Sequence, residues 1–143
     1  MTPKKFYIAS PFFNDEEIQA IVKTENILRN RGFQVFSPRE HTAPKETPGT
    51  AAWSHKIFEI DREGIVWADC LVVLYWGNYS DTGTAWECGY VYATGKPAVI
   101  VHLGDSSNLM IHEGSHTNLK GLDELEAYDF ESMPRYPYEG KMY

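Results

Sequence analysis

The stretch from Cys70 to Val101 restricts this chain to few folds. Cys70-Leu71-Val72-Val73-Leu74-Tyr75-Trp76 is a continuous apolar run, as in a strand buried on both faces. Pro97-Ala98-Val99-Ile100-Val101 is a second such run. Between them lie a polar loop with Asp81 and a helical segment that starts near Gly83 or Thr84 and ends by Gly95. A β-loop-α-β unit places its first loop at the carboxyl ends of the strands, where open α/β sheets bind ligands. Glu87 stands in the first turn or so of this helix, between Trp86 and Cys88. A carboxylate among apolar neighbours is costly unless it has partners or a task.

The rest of the chain extends this pattern. Phe6-Tyr7-Ile8-Ala9 reads as a first strand. Asn14 and Glu17 have capping-box spacing, and Ile18, Ile21, Val22 and Leu28 give an amphipathic helix that ends near Asn30-Arg31, with Gly32 as its C-cap. Phe33 to Phe36 is the second strand, and residues 37–50, with three prolines, form a long loop. Trp53 to Trp67 reads as a helix with Trp53, Ile57, Ile60 and Gly64 on one face and Asp61 at its edge. A short helix is expected within Leu119 to Leu125. The tail from Met133 has no helical or strand period, but it is too aromatic to be an ordinary disordered tail and should pack on the body or on a neighbour. The expected architecture is a flavodoxin-like or Rossmann-like three-layer sandwich with a mostly parallel sheet of four to five strands. Residues 1–143 are expected to form a single domain.

Composition narrows the function classes. With 13 basic residues, a net charge of −7 and no basic stripe, a nucleic-acid polymer is not the expected partner. No 18-residue apolar run or signal-peptide pattern occurs, so neither a membrane span nor secretion is expected. Cys70 and Cys88 fall in core elements and read as buried hydrophobes, which points to the cytoplasm. Ser10-Pro11-Phe12-Phe13 replaces the glycines that a dinucleotide fold needs after its first strand. His112-Glu113-Gly114-Ser115-His116 matches the letters of a zinc motif, but Gly114 and Ser115 weaken the required helix and no third ligand is apparent. The string reads as a surface loop and no metal site is assigned.

Three side chains stand out for chemistry. Glu87, kept ionised near a helix N-terminus, suits attack on an anomeric carbon that develops positive charge; its bland role is helix capping. Asp81 suits sugar hydroxyls or an N-cap equally. Tyr7 either fixes a carboxylate through its hydroxyl or is a rim aromatic. Asp61 is by itself a solvated helix carboxylate or one aimed at the ligand end of the sheet.

The ordered set Tyr7-Ile8-Ala9-Ser10-Pro11-Phe12-Phe13, Asp61, Asp81-x-Gly83-Thr84-Ala85-Trp86-Glu87-x-Gly89-Tyr90, Asn108-Leu109-Met110 and Tyr138-Glu139-Gly140-Lys141-Met142-Tyr143 resembles the nucleoside 2-deoxyribosyltransferases over nearly the whole chain. That resemblance implies a flavodoxin-like sheet and double displacement: a glutamate takes deoxyribose from a nucleoside as an ester, and a second base receives it. It implies Glu87 as nucleophile, Tyr7 as the residue orienting it, and Asp61 as a carboxylate near the base and one possible proton donor. Asp81 then binds sugar, and Phe12 and Phe13 form an aromatic wall. Asn108, with Met110 in the same segment, comes from an adjacent subunit, and the terminal carboxylate of Tyr143 approaches the site, where it can orient Tyr7. It further implies deoxynucleosides and free nucleobases as partners, no cofactor, and a homo-oligomer, dimer or hexamer. A related group hydrolyses deoxynucleoside 5′-monophosphates. Asp81 opposes a phosphate, while Ser80, Thr82 and Thr84 leave that alternative open, beside a non-catalytic nucleotide-binding domain.

Overall fold

The computed structural model describes residues 2–77 and 81–143, so Ser80 lies outside the described residues. The main sheet comprises β1 (Lys5–Ala9), β2 (Gln34–Phe36), β3 (Cys70–Tyr75), β4 (Ala98–His102) and β6 (Thr117–Leu119). Its order is β2-β1-β3-β4-β6, and every pairing is parallel. Tyr7 lies opposite Leu71 of β3 on one side and Phe36 of β2 on the other. The chain leaves β1 toward β2 and returns to place β3 on the other side, so the topological switch point lies between β1 and β3.

The pleat divides the core in two. Phe6, Ile8, Cys70, Val72, Leu74, Val99 and Val101 pack on one face with Ile21 and Leu28 of α1 (Asp15–Asn30) and Leu125 of α5 (Leu122–Ala127). Tyr7, Ala9, Leu71, Val73, Tyr75, Ala98 and Ile100 point the other way. There they meet Ile65 of α2 (Ala51–Trp67), Cys88 and Val91 of α3 (Thr82–Ala93), and Ile111 of α4 (Leu109–Glu113). The alternation of β1 therefore sends Tyr7 to the α2–α3 side. Both cysteines are buried and unpaired.

Local chemistry sets the helix ends. Asn14 caps α1 by accepting from Glu17 N at 2.9 Å, and the Glu17 carboxylate accepts from Phe13 N at 2.8 Å. Arg31 is the C-cap, and Gly32 follows with φ 86°. Thr50 caps α2, and Asp81 caps α3, which starts at Thr82. No helix among the described residues is long and apolar enough to cross a membrane.

One expectation fails, and another is met by an element the pattern did not show. The His112–His116 string is not a surface loop: His112 sits in α4, is buried, and has Nδ1 2.8 Å from Ser107 Oγ. His116 Nε2 lies 2.8 Å from Met133 O. The tail, which lacks a strand period, nonetheless forms β7 (Lys141–Met142), paired in parallel with β5 (Ser106–Ser107). Two residues are too few to show a period, and the pairing is set by the partner strand.

Candidate active site

Glu87 is the sixth residue of α3, past the first turn. The side chain of Tyr7 leaves the centre of β1 on the same side of the sheet, and its hydroxyl donates a hydrogen bond to Glu87 Oε2. The Tyr7 ring is fully buried and stacks on Phe36 at 5.4 Å, and Phe36 stacks on His41 at 4.3 Å. The hydroxyl is therefore aimed by a rigid stack rather than by a mobile loop. Burial, with the charges of Glu87 and Asp61, pushes the Tyr7 pKa up, so the hydroxyl keeps its proton and remains a donor.

The environment of Glu87 differs from the ionised helix-start carboxylate read from the sequence. Burial pushes its pKa up to about 8, and the charges of Asp61 and Asp81 add to this. The Tyr7 hydrogen bond acts in the opposite sense. Desolvation outweighs the dipole because Glu87 lies beyond the first turn, where the dipole effect fades. Asp61 is also pushed up by burial, to about 6. Asp81 is raised chiefly by burial, while its hydrogen bonds with Thr84 pull it down.

These three carboxylates line one cavity of about 450 Å³ together with Tyr7, Phe12 and Phe13. Asp81 is 7% exposed; its Oδ1 accepts from Thr84 N at 3.4 Å. Its Oδ2 is buried and has no hydrogen-bond partner among the described residues. Of the two roles weighed for Asp81, the structure shows the N-cap, made by Oδ1. The structure adds Phe58, Arg62 and Trp86 to the cavity wall, with Phe58 and Trp86 packed edge to face at 5.3 Å. Sequence reasoning passed over them, although a signal was present. Phe58, Asp61, Arg62 and Ile65 fall at i, i+3, i+4 and i+7, as do Gly83, Trp86, Glu87 and Tyr90.

Asn108, Met110 and Tyr143 do not join Glu87 in that cavity. They line a second one, of about 640 Å³, with Tyr75, Cys88 and Tyr92. Asp81 and Thr82 line both cavities. Asn108 caps α4 by accepting from Met110 N at 2.8 Å. Tyr143 O accepts from Leu109 N at 2.9 Å, and the Tyr143 hydroxyl donates to Gly77 O at 3.0 Å. Tyr143 is thus fastened in the wall of the cavity that Asp81 also lines, and the Tyr7 hydroxyl is taken by Glu87.

An all-parallel α/β sandwich with a tyrosine-held glutamate and two further carboxylates at its switch point defines a flavodoxin-like protein equipped for carboxylate chemistry on a small ligand. The chain belongs to the nucleoside 2-deoxyribosyltransferase family, whose model matches residues 6–121. A 2-deoxyribosyltransferase from the psychrotolerant bacterium Bacillus psychrosaccharolyticus, described as a biocatalyst for nucleoside synthesis, is 41% identical. The match covers 94% of this chain and 99% of that one, with a TM-score of 0.88. A conserved protein from Enterococcus faecalis V583 is similar in fold alone, at 23% identity and a TM-score of 0.60 over 98% of this chain and 90% of that one. No match was found among curated proteins.

Proposed function

We propose that this transferase moves a 2-deoxyribosyl group between nucleobases by double displacement on Glu87. The observation that carries the reading is the Tyr7-held Glu87 beside Asp61 and Asp81 in one aromatic-walled cavity. A nucleobase stacks against the aromatic wall, and a sugar hydroxyl donates to the buried Asp81 Oδ2. The ionised Glu87 attacks C1 through an oxocarbenium-like state. The C1–N bond breaks, the C1–O bond to Glu87 forms, and a proton passes from Asp61 to a ring nitrogen of the leaving base. A carboxyl with a pKa of about 6 is a suitable donor near neutral pH. An incoming base then attacks C1 from the face the first base left, the C1–O bond to Glu87 breaks and frees its carboxylate, and the ring proton of the incoming base passes to Asp61.

We further infer a cytoplasmic homo-oligomer whose neighbouring subunit presents its Asn108–Met110 segment to the sugar. Exposure supports this: Met110 is 74% exposed, Phe13 80% and Tyr92 69%, around the two cavities. Incubation of a deoxynucleoside with a different free base should yield the exchanged nucleoside. A slow 2-fluoro-arabinosyl donor should leave its sugar on Glu87, read by mass spectrometry. Hydrolysis of a 5′-monophosphate without exchange points instead to the related hydrolase, and no reaction over a donor panel points to a binding domain. A sugar found on Asp61 or Asp81 overturns the Glu87 assignment.

A further inference from the structure

The β5–β7 pair is two residues long on each strand, too short to hold a chain end by its own ladder. Its support lies behind it. The Tyr138 ring packs on His102 at 4.4 Å and on His112 at 4.8 Å, with interplanar angles of 35° and 28°. Both histidines are tied to the body. His102 Nε2 lies 2.8 Å from Asn118 Oδ1, and His112 Nδ1 lies 2.8 Å from Ser107 Oγ. The Asn118 backbone N–H and its side-chain amide both donate to Tyr136 O at 3.1 Å, fixing the approach to Tyr138. The Tyr138 hydroxyl donates to Lys141 O at 2.8 Å, at the start of β7.

From there the connections run to the second cavity. Tyr143 N donates to Ser107 O at 3.0 Å, and Leu109 N donates to Tyr143 O at 2.9 Å. Asn108, between those two anchors, donates its own N–H to the Tyr75 hydroxyl at 3.1 Å. The Tyr143 hydroxyl reaches Gly77 O. Asn108 and Tyr143 thus form one backbone-bonded unit whose far end is Tyr138.

We propose that Tyr138, clasped between His102 and His112, is a positioning residue that sets Asn108 and Tyr143 in place for sugar transfer. It lines neither the Glu87 cavity nor the Asn108 cavity and acts through β7 and through His112, whose backbone N–H donates to Asn108 O at 3.3 Å. The proposal rests on the reading of Asn108 as substrate-facing. Loss of the ring frees the strand to shift, and a shift of about 1 Å at a positioning group costs roughly ten- to hundredfold in rate.

The test compares base-exchange kinetics, thermal midpoint and oligomer size for Tyr138→Leu, Tyr138→Phe, Asn108→Ala and the Tyr138→Leu/Asn108→Ala double variant. Tyr138→Leu is expected to lose at least about tenfold in kcat with oligomer size unchanged. Tyr138→Phe, which keeps the ring on His102 and His112 but loses the bond to Lys141 O, is expected to lose clearly less than Tyr138→Leu. In the Asn108→Ala background Tyr138→Leu adds less than its loss in the wild-type background, because the part that runs through Asn108 is already gone. His112→Asn supplies a second variant if Tyr138→Leu does not fold, since its amide can still reach Ser107 while the stacking ring is gone; a loss of the same size is expected. Full activity in the folded Tyr138 or His112 variant, with Asn108→Ala impaired, overturns the positioning role and leaves the functional reading standing. Full activity in Asn108→Ala overturns that reading and this proposal with it.

Discussion

In the proposed mechanism Glu87 and Asp61 stand in reverse of the usual order: burial pushes the proposed nucleophile, Glu87, up to about 8 and the proposed proton donor, Asp61, up to about 6. The competent state needs Glu87 ionised and Asp61 protonated. Its population rises with pH until about 6, stays level to about 8 and falls above, and it is a minor fraction throughout because each group is mostly in the other protonation state between those values. The kcat/KM profile for base exchange should show this bell. In Tyr7→Phe the hydrogen bond that lowers the Glu87 pKa is lost. The alkaline limb should therefore move up and the maximum fall by roughly ten- to hundredfold. An unchanged profile in that variant would remove Tyr7 from the site. Stability follows the same group. Glu87 has its pKa raised on folding, so its contribution is present at low pH and is lost as pH rises through about 8. Glu87→Gln cannot ionise, so it should be inactive yet more stable than wild type at pH 9, by on the order of 2 kcal/mol for a group still partly open to the cavity. Urea unfolding at pH 5 and pH 9 measures this; the gap should open only at the higher pH.

Among the elements, α2 has a particular hold on the site. It buries Gly64 and Ile65, while Trp53, Ile57 and Ile60 are only partly covered. Gly64 allows the close approach to β2: a Cβ there would lie 2.9 Å from the Phe36 ring. Phe36 is the ring on which Tyr7 stacks. Gly64→Ala should therefore cost about 1–3 kcal/mol through overpacking, and it should lower exchange activity by tilting the Tyr7 hydroxyl. Urea unfolding and initial rates measured together check this, and a destabilised variant with wild-type turnover would separate α2 packing from catalysis. Most of α2 was legible from its apolar spacing, with its start two residues earlier than read. What spacing could not supply is which ring Gly64 meets, since Phe36 arrives from another strand.

The whole molecule leaves an apolar rim around its two cavities, with Leu109 and Met110 projecting from it and Trp86 and Phe58 beside the Glu87 opening. Met110→Lys places a charge on that rim without entering the core. We expect a smaller species by sedimentation, native-like circular dichroism and a loss of exchange activity of at least about tenfold from an incomplete site. A fully active variant of unchanged size would overturn the proposed oligomer with Met110 at its interface. The sequence by itself determined the two central strands, read as 70–76 and 97–101 and found at 70–75 and 98–102, the capped helix after Asn14, the layered α/β class and the residues around Glu87. Apolar periodicity and cap chemistry are written in near neighbours, so they can be read locally. Only the tertiary structure brought Tyr7 to Glu87 across 80 residues, raised Glu87 by desolvation, buried His112 and paired the tail with Ser106 and Ser107. It also placed Asn108 and Tyr143 across Asp81 from Glu87 rather than beside it. Each of these depends on what lies next to a residue in space, and that is set by the packing of distant elements, not by the order of the chain.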